Sequence, residues 1–92
     1  MMQVRSVLKN DCKAIANLEA QLFDSQLDVK ELHSMILKPA FYGAVVSTLD
    51  RPKIINAYIL AYFTEGYAEI ISIGTVEFQQ RRGYGRFILQ HL

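Results

Sequence analysis

One stretch constrains this chain more than any other: residues 69–92, EIISIGTVEFQQRRGYGRFILQHL. It opens as an apolar, β-branched run, Ile70-Ile71-Ser72-Ile73-Gly74-Thr75-Val76, which reads as a short strand buried on both faces. A doubly basic, glycine-punctuated turn follows, Gln80-Arg81-Arg82-Gly83-Tyr84-Gly85-Arg86. Phe87, Ile88, Leu89 and Leu92 then recur at spacings that suit one helix face. Strand, glycine turn and helix start together aim backbone N–H groups at an anion. The first helical turn carries free donors and the positive end of the macrodipole. Glycine lets the backbone take φ > 0 and approach a ligand closely. Arg81, Arg82 and Arg86 add forked, permanently charged donors suited to phosphate.

The charge distribution agrees with a small anionic ligand. Residues 1–50 hold five basic and six acidic side chains, whereas residues 51–92 hold five basic and three acidic. Three of those last five basics are the arginines of the glycine turn. A net charge of +1 argues against a general nucleic-acid binder, which presents a basic face. Ninety-two residues make one small domain, residues 1–92, with no internal boundary or repeat. A single cysteine, Cys12, excludes an internal disulfide and a cysteine zinc cage, and fits a reducing cytosol. No run reaches the ~18 apolar residues of a membrane span, and the N-terminus lacks a signal-peptide apolar region.

The remaining pattern predicts an α/β domain. Residues 3–8 alternate as a short strand. Asn10 or Asp11 is positioned to cap a helix over 12–23, with Ile15, Leu18 and Leu22 inward and Lys13, Asn17 and Glu19 in water. Residues 24–26 break it. Asp28, with Glu31 three residues on, has the form of a capping box and opens a second helix. Its stripe is Val29, Leu32, Met35 and Ile36, and Pro39 ends it. Residues 41–49 and 54–63 read as an antiparallel hairpin around the Asp50-Arg51-Pro52-Lys53 turn. Thr64-Glu65-Gly66 turns into the strand of the opening stretch. Cys12 and Tyr42, Tyr58, Tyr62, Tyr67 and Tyr84 read as packing residues. His33 and His91 lack partners at ligand spacing, so no metal site is expected.

These residues resemble the GNAT superfamily of acetyl-coenzyme A-dependent N-acyltransferases, most closely its RimI-like branch, which acetylates protein N-termini. The family signature Q/R-x-x-G-x-G/A is matched by Gln80 to Gly85, with Arg86 following. Residues 68–75, AEIISIGT, are similar to the strand before that signature, and residues 15–23, IANLEAQLF, to the first helix. The order of elements matches as well. The resemblance implies a mixed sheet of GNAT type, with one strand, two helices, a three-strand meander and the signature helix. It implies acetyl-CoA as cosubstrate. Backbone groups of Ile73, Gly74 and Thr75 would pair with pantetheine like an added strand, and amides of Arg81, Arg82, Gly83, Tyr84, Gly85 and Arg86 would cradle the pyrophosphate. It implies transfer of the acetyl group to an amine such as a protein N-terminal α-amine. Glu69 is the carboxylate on the key strand that matches the family pattern and is the candidate base, and the loop from Phe23 to Asp28 borders the acceptor.

The sequence also departs from the family. The usual Val-x-Pro before the signature is Thr75-Val76-Glu77, and Leu27 stands where a tryptophan is common. Family members continue past the signature helix, through segments that supply a second lip of the cofactor cleft and a tyrosine acid. The expectation is therefore a truncated domain, with an inactive coenzyme A-binding or oligomerising module as the alternative to an enzyme. A strand edge bearing Ile70, Ile71 and Ile73 is expected to invite a second copy. A P-loop hydrolase is not supported, because no Gly-Lys pair occurs.

Overall fold

Local chemistry accounts for most of the element boundaries in the computed structural model, which describes residues 2–24 and 27–76. Strand β1 (Met2–Ser6) leads through a 3₁₀ turn (Lys9–Asp11) into α1 (Cys12–Phe23). Asp11 does not cap α1 as expected. Its carboxylate turns back instead, accepting from the Leu8 N–H at 2.7 Å and from both terminal nitrogens of Arg5 at 2.7 and 2.9 Å. α1 stops at Asp24, which sits in the left-handed region (φ 53°) and returns its N–H to the Glu19 carbonyl. Aspartate tolerates that region better than most residues.

The capping box at α2 (Val29–Ile36) is confirmed in its first half: the Asp28 side chain accepts from the Glu31 N–H at 2.8 Å. Replacing Asp28 with Ala leaves that donor without its side-chain partner, and the expected loss is about 1 kcal/mol in urea unfolding.

Three strands follow: β2 (Phe41–Thr48), β3 (Ala57–Thr64) and β4 (Tyr67–Thr75). The sheet runs β1-β2-β3-β4 with antiparallel neighbours throughout. β3 begins later than its apolar run suggests, because the Ile54 N–H is taken by the Arg51 carbonyl in the turn. Gly66, at φ 80°, makes the β3–β4 turn.

Helices cover one sheet face. Cys12, Ile15 and Leu32 pack there against Val45, Ile55, Tyr58 and Leu60. The opposite face carries Ala44, Val46, Ala57 and Ile59, flanked by Met2, Val4, Tyr42 and Ile73. Burial pushes the Cys12 thiol up, aided by the neighbouring Asp11 charge, so the thiol stays protonated and acts as a packing group.

The strand expected to be buried on both faces is not. Ile70 is 45% and Ile71 38% exposed, because β4 is the last strand of the described sheet. Its pairing with β3 also slips: Leu60 faces Ser72 and Ala61 faces Ile70, leaving Ile71 as the extra residue of a β-bulge.

The Arg5–Asp11 pair gives the fold an acid-sensitive clasp. Burial alone would raise the Asp11 carboxyl, but the Arg5 guanidinium and the Leu8 N–H outweigh it and hold it below the ordinary aspartate value. A carboxyl depressed in the folded state adds stability that is complete above its unfolded value, ~4, and lost as pH falls through the folded one. Asp11→Asn is therefore expected to be less stable than the parent at pH 7. The gap should narrow below about pH 4 in acid unfolding followed by circular dichroism.

Candidate functional site

α1 lies beside β4, and a groove of about 620 Å³ opens between them, lined by Glu19, Phe23, Ile70, Ile71, Ser72 and Ile73. Its walls are mostly aliphatic or aromatic, with one carboxylate and one hydroxyl. Glu19 was expected in water, but it is only 4% exposed. The signal was in the spacing: Glu19 follows the fully buried Ile15 by one helical turn and sits between Leu18 and Leu22, inside the apolar stripe. A charged residue in the middle of such a stripe points into the protein.

Glu19 is held by two hydroxyl donors from different strands. Tyr58 Oη of β3 donates to Glu19 Oε2 at 2.7 Å, and Ser72 Oγ of β4 donates to the same oxygen at 2.9 Å. Two donors converging on one oxygen suit an ionised, acceptor-only carboxylate. The Tyr58 hydroxyl is pushed far above its ordinary value, first by burial and then by its bond to Glu19 and that residue's charge. It therefore remains a donor across the working pH range. Tyr58 was expected only to pack; it packs and also carries this bond.

Gly74 completes the arrangement. A Cβ on Gly74 would stand 2.5 Å from ring carbons of Tyr58 and 2.6 Å from its hydroxyl oxygen, so the ring lies directly beneath the β4 backbone. That close approach needs glycine.

The other expected site residues divide into three groups. Ile73 borders the groove, Gly74 is buried over Tyr58, and Thr75 pairs with Ala57 at the end of β4. Glu69 is exposed on β4 opposite Tyr62, outside the groove lining. Arg81, Arg82, Gly83, Tyr84, Gly85 and Arg86 lie outside the described residues. Among the described residues no group of acidic, histidine or cysteine side chains is placed to hold a metal ion. No helix among them is long and apolar enough to cross a membrane.

No family model matches this sequence, and no curated protein matches it. Solved structures do. The ribosomal-protein-S18-alanine N-acetyltransferase from Escherichia coli superposes with a TM-score of 0.82 at 19% identity, covering 99% of this chain and 56% of that one. Aminoglycoside 6'-N-acetyltransferase AAC(6')-Ih from Acinetobacter baumannii gives a TM-score of 0.78 at 15% identity, covering 99% and 68%. NAA60 from Arabidopsis thaliana, in complex with acetyl-CoA, gives 0.77 at 11% identity, covering 99% and 65%. The fold is that of the GNAT N-acetyltransferases. Identities of this size establish the fold and nothing finer. The chain spans roughly half to two thirds of the structures it matches.

Proposed function

We propose that this chain binds acetyl-CoA and serves transfer of its acetyl group to an amine, with a protein N-terminal α-amine as the preferred acceptor class. The observation that carries this reading is the superposition of nearly the whole chain on N-acetyltransferases, one of them bound to acetyl-CoA. The signature Gln80 to Gly85 supports it from the sequence side. Backbone groups of Ile73, Gly74 and Thr75, at the C-terminal end of β4, are the expected partners of an uncharged pantetheine arm. The glycine turn, Arg81 to Arg86, is the expected pyrophosphate cradle.

In this reaction the neutral amine attacks the thioester carbonyl carbon. The C–N bond forms, the C–S bond breaks, and the thiolate leaves and takes up a proton. Only the unprotonated amine is nucleophilic. An α-amine, with a pKa of ~8, reaches that form near neutral pH more readily than a lysine at ~10.4. Glu69 remains the proposed proton acceptor on β4, acting directly or through water. Acceptors named for the structural neighbours range from ribosomal protein S18 alanine to aminoglycosides, so an α-amine and a sugar amine are both compatible with this fold.

The test is free-thiol release from acetyl-CoA with a panel of N-terminal peptides and an aminoglycoside, alongside calorimetry with coenzyme A. Turnover with peptides is the expected result. Coenzyme A binding without turnover on any acceptor would favour an inactive cofactor-binding module.

A further inference from the structure

We propose that Glu19 is the recognition site for the acceptor amine, its carboxylate pairing with the incoming ammonium in the groove between α1 and β4; the inference rests on the acetyl-transfer reading. Glu19 is 96% buried by its 4% exposure, yet it has no ion-pair partner among the described residues, where the ion pair present is Arg5–Asp11. A buried carboxylate without a countercharge is costly, and neutral hydroxyl donors recover only part of the lost hydration. If fastening α1 to the sheet were its whole purpose, an apolar side chain in this aliphatic setting would serve as well. A cationic ligand supplies a countercharge that the described residues do not, and the bound ammonium gives up a proton before the neutral amine attacks the thioester.

The bonding geometry points the same way. Tyr58 and Ser72 both donate to Oε2, and the described residues give Oε1 no donor. An ionised carboxylate has about four acceptor sites, so Oε1 retains capacity for an N–H donor. The side chain lines the groove together with Phe23, Ile70, Ile71 and Ile73. Those walls favour an amine borne on an apolar or small carbon framework. The two hydroxyls fix the carboxylate in place before the amine arrives, so little side-chain freedom is lost on binding.

This geometry also supplies a clean variant. In Glu19→Gln the amide oxygen can take the place of Oε2 and keep both hydroxyl bonds, while the NH₂ takes the place of Oε1. The groove then presents a donor where it had presented an acceptor, with little change in the fold. The experiment titrates the full chain with n-butylammonium, and with n-butanol as the uncharged control, followed by ¹H–¹⁵N NMR. Butylammonium should shift the amides of Glu19, Ile71 and Ser72, and butanol should bind distinctly more weakly. Glu19→Gln should weaken butylammonium binding roughly tenfold to a hundredfold. Tyr58→Phe, which leaves the carboxylate in place, should keep affinity within about threefold of the parent. Equal binding of ammonium and alcohol, or a Glu19→Gln protein that binds butylammonium like the parent, would overturn the proposal. So would equal losses in Glu19→Gln and Tyr58→Phe, which mark a purely structural network. Coenzyme A calorimetry on the same proteins separates the two readings. Glu19→Gln should bind coenzyme A like the parent. A parent that binds butylammonium through Glu19 but shows no heat with coenzyme A supports the amine site while removing the acetyl-transfer reading.

Discussion

A Gly83→Asp, Gly85→Asp double variant should bind coenzyme A at least about a hundredfold more weakly than the parent in calorimetry, a loss of about 3 kcal/mol or more. Two effects combine. Each aspartate brings a carboxylate and a Cβ to a turn proposed to bring its amides against a diphosphate, so like charges meet at short range. The same charges also draw Arg81, Arg82 and Arg86 into local pairs and away from the ligand. Circular dichroism and a thermal melt on the same sample check that the fold persists. An unchanged Kd would remove the diphosphate cradle, and with it the strongest sequence argument for acetyl-CoA.

Gly74→Val is the substitution expected to damage the fold most. The new Cβ would stand 2.5 Å from ring carbons of Tyr58, well inside contact distance. Tyr58 cannot step aside: it is fully buried, and its hydroxyl is anchored to Glu19 at 2.7 Å. The backbone of β4 must move instead, next to a bulge that already interrupts its pairing with β3. Overpacking of this kind costs about 1–3 kcal/mol, and the branched side chain places valine at the upper end. In a domain of this size that lowers the melting temperature by roughly 10–20 °C. Gly74→Ala should show about half the effect. A valine variant that melts within about 2 °C of the parent would show that the ring has room to move.

Local chemistry made much of the fold legible. The Asp28 cap, the Pro39 stop, the Asp50 to Lys53 turn and Gly66 each act within a few residues of themselves, and each appears where its chemistry places it. The periodic stripe of α1 places Ile15 in the core, and Glu19, whose polarity predicts water, is buried because it lies inside that same stripe. Asp11 has the chemistry of a cap, but the donors it meets are the Leu8 N–H and Arg5, the latter reached from the preceding strand.

The sequence by itself determined the order of the described elements, the Asp28 cap and the turns, because those depend on backbone propensity and on neighbours three or four residues apart; the glycine–arginine turn it predicts lies outside the described residues. It did not show that β4 leaves Ile70 and Ile71 exposed, that Ile71 is bulged, or that Glu19, Tyr58 and Ser72 share one oxygen. Tyr58 and Ser72 stand 39 and 53 residues from Glu19 along the chain. Which donors reach a carboxylate across such separations is decided by strand register and helix packing, since a one-residue slip in register turns a side chain to the opposite face of the sheet.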